Sequence, residues 1–220
     1  MKRVVAPELL DTDAGTPREI AANLADLRTI NRHLGGVRLM TRMVLTVAAG
    51  RRLKEIRWLD VAGASGDLVH DVQESLAGSG ITLHPMVLDR AATHLDGKYP
   101  SVCGDALALP FRDASFDLVS STLFAHHLEP DDLVKFLDEA LRVARHAVLI
   151  NDLVRHPLHY ALTLAGRAIY RSRLTRHDAP VSVRRAYTVD EMRGLLRQTA
   201  AAQADIDTFF LFRMGVIAWK

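Results

Sequence analysis

The sequence predicts an α/β fold: a mostly parallel sheet with a C-terminal antiparallel hairpin, flanked by helices and covered by a helical lid. Three observations predict it. Between residues 56 and 150, short apolar runs alternate with helical patterns, the sign of parallel strands joined by crossovers. The stretch Arg57-Trp58-Leu59-Asp60-Val61-Ala62-Gly63-Ala64-Ser65-Gly66-Asp67-Leu68 reads as buried strand, tight turn and helix. The last two apolar runs, 204–210 and 212–219, lie too close for a crossover helix and so must pair antiparallel.

Composition bounds the rest. A chain of 220 residues, 49% hydrophobic and 25% charged, suits one soluble domain with a sizeable core. A net charge of +2 is too near neutral to favour a nucleic-acid partner. Cys103 is alone, which excludes an internal disulfide or a thiolate metal site and points to the cytoplasm. No apolar run reaches the roughly 18 residues of a transmembrane segment. Pro7, Glu8 and Asp11 break the N-terminal apolar stretch, which is therefore not read as a signal peptide. Arg167, Arg171, Arg173, Arg176, Arg184 and Arg185 crowd one segment with Asp178 against them. They read as a solvated face, with a rim for an anionic substrate or peripheral membrane contact as the sharper alternative.

Taken in order, residues 1 to about 16 read as a poorly ordered lead. Thr16 as N-cap, Pro17 at the first helical position and Glu19 closing a capping box start a helix. Ile20, Leu24, Leu27 and the 30–34 stretch give its apolar stripe, and Gly35-Gly36 stops it. A second helix spans Val37 to about Ala49, closed by Gly50. Residues 1–50 are thus expected as a lid, with packing on the sheet edge as the alternative. Arg32 and His33 at the break are candidates to reach the substrate. The core, 51–152, follows: strand 56–61, helix 66 to about 77, strand 86–88 ending in Asp89, strand 101–103 running to Gly104-Asp105, and strand 116–120. A helix capped by Asp131 or Asp132 then reaches about Val143, before strand 147–150. One long helix is expected over 157–174 within a substrate-covering insertion, 153–187. Thr188 caps a helix to about Gln198, and residues 188–220 complete the core with the hairpin.

The turn after the first strand is built to meet a ligand. Small residues at 62–66 let it lie against the backbone, and the N–H groups opening the next helix face an anionic group. Asp60 sits at the strand's carboxyl end, in the crevice where open α/β sheets bind ligands. A dinucleotide site wants G-x-G-x-x-G with an acid about 20 residues later. Here the glycines are Gly63 and Gly66 and the acid precedes them, which weakens an NAD-type dehydrogenase reading. Asp89, about one crossover on, offers two oxygens that match the vicinal hydroxyls of a ribose, or else caps the next helix.

This order of acid, small-residue turn and Gly66-Asp67 resembles motif I of class I S-adenosylmethionine (SAM) methyltransferases. The match is nearest the branch of the ubiquinone/menaquinone C-methyltransferases, which write L-D-x-A-G-G-T-G-D; Ala64 stands where that pattern has glycine. The segment Gly104 to Asp117 likewise resembles G-D-A-x-x-L-P-F-x-D-x-x-F-D at every fixed position. The resemblance implies a Rossmann-like methyltransferase sheet and SAM as cofactor, released as S-adenosylhomocysteine (SAH). It places Asp60, Ala62, Gly63, Ala64, Ser65 and Gly66 around that cofactor, Asp89 on its ribose and Arg90 beside the adenine. Gly104, Asp105, Ala106 and Leu107 would read the purine edge and cover its face, while Ser120 and Ser121 would lie near the methionine part. Asp113 and Asp117 read as turn and strand-end structure.

His126, His127 and Glu129 follow the fourth strand. Three ligands in four residues on a loop seldom close on one ion, and no Cys or further His pairs with them at finger spacing, so no metal is expected. One imidazole could take a proton from an acceptor hydroxyl, or hold the loop by hydrogen bonds. Beyond the fifth strand, Asn151-Asp152-Leu153-Val154-Arg155-His156 resembles stretches in small-molecule methyltransferases of bacterial secondary metabolism. It adds His156 as a third candidate base, with His159 and Tyr160 facing the acceptor. The function expected is in-line methyl transfer to an O, C or N nucleophile of a small, largely apolar, phenolic or quinol-like acceptor. The alternatives are a catalytically silent SAM- or nucleoside-binding protein and a dehydrogenase. No N-P-P-[YF] base-flipping motif follows the fourth strand, so no nucleic acid partner is expected, and the chain is read as a monomer or homodimer.

Overall fold

A computed structural model describes residues 1–12 and 15–220. Seven strands form one sheet: β1 (Glu55–Val61), β2 (Thr82–Asp89), β3 (Ser101–Cys103), β4 (Phe116–Thr122), β5 (Ala144–Leu153), β6 (Gln203–Phe209) and β7 (Arg213–Trp219). Their order is β3-β2-β1-β4-β5-β7-β6. The first five strands run parallel, and β7 enters antiparallel between β5 and β6. The order reverses between β1 and β4, which opens a crevice at their carboxyl ends. Register puts Asp60 beside both Val87 and Ser120, so the tips of β1, β2 and β4 lie side by side.

Strand side chains alternate between two helical layers. Ile56, Trp58, Leu118, Ala147, Leu149 and Ile217 pack against α2 (Gly36–Arg51) and α3 (Asp67–Ser75). Leu59, Val61, Val119, Val148, Ile150 and Val216 pack against α4 (Pro130–Val143) and α7 (Val189–Leu196). With both faces covered, central strands must be apolar nearly throughout, which is why they read as short unbroken runs. Thr16 caps α1 (Pro17–His33) with the expected capping box, and Thr188 does the same for α7.

Four expectations are corrected. The helix α2 buries Leu39, Met40, Met43, Val44 and Val47 under the sheet, so of the two N-terminal helices only α1 borders the cleft. It also runs through Gly50, ending where Arg52 turns left-handed. The single helix over 157–174 is instead α5 (Pro157–Ala165), a 3₁₀ turn and α6 (Arg173–Arg185). Asp26 of α1 accepts the N–H groups of Arg171 and Ser172, each at 2.9 Å, and Ser172 caps the new helix; a continuous helix would need those donors itself. At α4 the N-cap is Glu129, with Pro130 at the first helical position and Asp131 and Asp132 in the first turn.

The lead is the fourth correction: residues 1–12 are fastened down, while Asp13 and Ala14 lie outside the described residues. Arg3 donates to the carbonyls of Arg185 (2.7 Å) and Leu128 (2.9 Å) and lies 4.5 Å over the Tyr187 ring. The carboxylate of Asp178 takes the N–H groups of Leu9 and Leu10. No helix among the described residues is long and apolar enough to cross a membrane.

Candidate active site

The turn after β1 is strained. Ala62 (φ 57°) and Ala64 (φ 46°) join Gly66 (φ 70°) in the left-handed region. For alanine this costs on the order of 1–2 kcal/mol each, and such strain persists where surrounding structure fixes it, commonly at ligand sites. Here Asp89 fixes it by accepting the Ala64 N–H at 3.0 Å. The Ala64 substitution therefore leaves the turn anchored. At Gly63 the constraint is contact: a Cβ there would sit 2.7 Å from Asp60 Oδ2 and 2.9 Å from Val87.

Asp60 is buried, and its Oδ1 accepts the Ser120 hydroxyl at 2.6 Å; Ser120 in turn accepts from the Trp58 indole at 2.7 Å. Burial pushes the Asp60 carboxyl up to about 7, with the nearby Asp89 adding to the rise and Ser120 opposing it. Asp89 holds the Ala64 and Ala91 N–H groups with separate oxygens, leaving each oxygen a lone pair for a ligand. Across the crevice Gly104 donates to the Asp89 carbonyl, and Asp105 accepts the Leu107 N–H at 2.9 Å.

These groups border one cavity of about 780 Å³. Asp60, Ala62, Gly63, Ala64, Ser65, Asp89, Arg90, Gly104, Asp105, Ala106, Leu107 and His127 all line it. Leu10, Leu24, Leu27, Leu123, Phe124 and Leu128 supply its apolar lining. Gly66 shapes the turn from behind, against Tyr99.

Other expected site residues lie elsewhere. Ser120 and Ser121 are buried in the sheet, and Ser120 spends its hydroxyl on Asp60, so neither reaches the cavity. Arg32 pairs with Asp71 of α3 outside the cleft, and His33 is exposed beside it. His156 and His159 stack on Phe212 at 4.9 and 5.1 Å, because α5 leaves the sheet toward the β6–β7 turn. His156 accepts the Leu158 N–H, His159 donates to the Val154 carbonyl at 3.0 Å, and Tyr160 sits half-buried on the same helix. None of the three lines the cavity.

His126 is corrected as a base. Its Nδ1 lies 2.6 Å from Asp152, whose other oxygen takes the His126 backbone N–H. Burial alone would favour the neutral ring, but Asp152 and Glu8 outweigh it and raise the pKa to about 10, so the ring is already protonated at neutral pH. His127 is the imidazole on the cavity wall, with Nδ1 2.7 Å from Asp11 and its ring stacked on Phe124. Glu8 and Asp11, both held below the usual carboxylate range, were missed by sequence reasoning: burial would raise them, and the histidines outweigh it.

Strand order, the antiparallel β7 and a cavity at the switch point together define the Rossmann-like class I methyltransferase fold. Residues 59–150 match the family described as methyltransferase domain. Norajmaline N-methyltransferase of Rauvolfia serpentina is 37% identical over 93 residues, 39% of this chain and 31% of the relative, so the match spans about a third of that protein. Among solved structures, the plantazolicin methyltransferase BpumL with a triazolic desmethyl-plantazolicin analogue and SAH superposes with TM-score 0.67 at 14% identity, covering 92% of this chain and 90% of that one. An O-methyltransferase family 2 protein from Planctomyces limnophilus, in complex with apigenin, gives 0.60 at 17% identity, covering 92% and 62%.

Proposed function

We propose that the protein is a SAM-dependent methyltransferase acting on a small, largely apolar acceptor, phenolic or quinol-like, through an O, C or N nucleophile. One observation carries the reading. The tips of β1 and β2 and the loop after β3 bring Asp60, Asp89 and Asp105 onto a single cavity that Leu10, Leu24, Leu27, Leu123, Phe124 and Leu128 also line. Its volume lies within the roughly 300–1,000 Å³ of small-molecule sites.

The spare lone pairs of Asp89 suit a ribose diol, and Asp105 with the Ala106 backbone suits a purine edge. The cofactor supplies its own electrophile, so the protein's task is to align acceptor, methyl carbon and sulfur away from water. The acceptor's electron pair forms the new bond to carbon, the C–S pair returns to sulfur, and an acceptor proton leaves toward the polar end of the cavity. His127, oriented by Asp11, stands there. Leu10, Leu24 and Leu27, from the N-terminal segment and α1, give the acceptor apolar lining. Norajmaline and apigenin, the small molecules named with two similar proteins, accord with an acceptor of this size.

Calorimetry with SAH and NAD tests the cofactor, and labelled-methyl turnover on phenols, quinols and amines tests the reaction. SAH should bind and NAD should not. Asp89→Ala should weaken SAH binding about 10–100-fold, as expected for a lost hydrogen bond to a charged group. No SAH binding overturns the reading; SAH binding with no turnover on any acceptor favours the silent binding protein instead.

A further inference from the structure

Two histidines and a carboxylate meet at the polar end of the cavity in an arrangement that hydrogen bonding alone leaves incomplete. His126 gives its Nδ1 to Asp152 at 2.6 Å, and His127 gives its Nδ1 to Asp11 at 2.7 Å. Both Nε2 atoms are thereby left facing Glu8: His126 Nε2 lies 3.5 Å from Oε1 and His127 Nε2 lies 3.7 Å from Oε2. One donor atom from each of the three residues falls within 4.8 Å of the others. Glu8 is 6% exposed, yet its Oε1 is buried with no hydrogen-bond partner. Arg185 stays 3.9 Å from that oxygen and spends itself on Asp11 and the His127 carbonyl.

A carboxylate on the far nitrogen of each ring is how metal-binding imidazoles are oriented, with the ligating lone pair turned inward. Two imidazoles and one carboxylate, with a remaining position open, form the donor set of catalytic zinc sites. Ligand bonds of about 2.1 Å in a tetrahedron separate the donor atoms by roughly 3.4 Å, so from the 4.8 Å limit here the three side chains would draw in on a cation. Glu129, the third ligand weighed from sequence, instead pairs with Arg3; Glu8 arrives from the fastened N-terminal segment.

We propose that Glu8, His126 and His127 form a divalent-cation site of the zinc type, with Asp152 and Asp11 orienting the two rings. The cation displaces the Nε2 proton that the carboxylates otherwise hold on His126. The site meets the cavity at His127, the member that lines it. Its catalytic use rests on the methyl-transfer reading; its existence does not. With a cation bound, His127 would be a ligand rather than the group the acceptor proton moves toward. The cation would supply Lewis acidity, lowering the pKa of an acceptor hydroxyl at the open position. The hydroxyl's proton could then pass to water and its oxygen could give its electron pair to the methyl carbon, the C–S pair going to sulfur.

The test uses the full chain stripped with chelator, Co²⁺ added alone with its visible ligand-field bands as readout, and Zn²⁺ calorimetry beside it. One equivalent of Co²⁺ should bind. Glu8→Gln and His127→Ala should each weaken binding at least about 100-fold, and Asp11→Asn about 10–100-fold, the range for orienting partners. His127 is partly exposed, so His127→Ala serves should Glu8→Gln fail to fold. His70→Ala, in the separate His70–Asp71–Glu74 group on α3, should change nothing. No Co²⁺ uptake, uptake unchanged in the variants, or uptake lost with His70→Ala overturns the site. SAH calorimetry on the stripped protein separates the two readings. SAH binding without Co²⁺ uptake removes the cation alone, whereas Co²⁺ uptake without SAH binding removes methyl transfer and leaves the cation site standing.

Discussion

Replacing Asp60 by asparagine should stabilise the protein, and by more as pH rises. The native carboxyl is raised to about 7 from an unfolded value of 3.8. Below the unfolded value both states are protonated and the group contributes nothing to pH dependence. Between the two values the unfolded chain ionises while the native one resists, so unfolding becomes easier with every step up in pH. Above 7 the penalty is complete: about three units, or about 4 kcal/mol. Asparagine keeps the shape and an oxygen to accept the Ser120 hydroxyl, so the Trp58–Ser120 chain survives while the charge does not. Urea denaturation of both proteins at pH 5, 6, 7 and 8 reads the effect. The stability difference should be about 2 kcal/mol at pH 5, grow by about another 2 kcal/mol through pH 6 and 7, and level off near pH 8. A difference flat across that range, or wild type gaining on the variant as pH rises, would refute the argument that burial dominates at Asp60.

Asp152→Asn breaks a buried pair and should cost about 3–5 kcal/mol in denaturant unfolding at pH 7. The raised pKa of His126 makes its pairing stabilise fully below 6.5 and fade as pH climbs through about 10. Wild type should therefore lose midpoint between pH 8 and 10, and the variant should not show that loss. Gly63→Ala forces a methyl against Asp60 and Val87 and should cost about 1–3 kcal/mol, with SAH binding lost in calorimetry. Arg3→Ala removes the donors to Leu128 and Arg185 and the stacking on Tyr187. Amide exchange over residues 1–12 should then quicken by roughly tenfold or more while β1 and β4 stay protected.

Legibility followed the range of the forces involved. The parallel core could be read because each strand carries its own signal: apolar runs too short for helices, the first three ended by an acid or glycine and the next two by Ser120 and Asn151 at the ligand edge. Residues 62–65 and 104–107 lie on the cavity for the same reason, since a strand end fixes where its loop emerges. The long helix over 157–174 failed on a distant partner. Its periodicity continues through Arg171, but Asp26, far back in α1, offers those N–H groups a carboxylate. The lid histidines failed similarly, because His156 and His159 found Phe212 rather than the cavity.

The polar cluster marks the other edge of what sequence could yield. His126-His127 and Asn151-Asp152 were each visible at a strand end, and β4 pairs with β5 so that Thr122 lies beside Asn151. Two polar loops leaving neighbouring parallel strands on the same side must approach each other, so the contact between His126 and Asp152 follows from topology already in hand. Nothing comparable foretold Glu8. Its segment has no periodicity, cap or turn signal, and is held by Arg3, Arg185 and Asp178, whose hydrogen bonds run to carbonyls, amides and carboxylates far along the chain. Sequence patterns record what repeats along a chain; a single carboxylate pinned by remote donors repeats nothing. Yet burying Glu8 beside two imidazoles sets the charge of the whole polar end of the cavity, so a variant of this distant segment should alter the site more than any change on α5, which touches none of it.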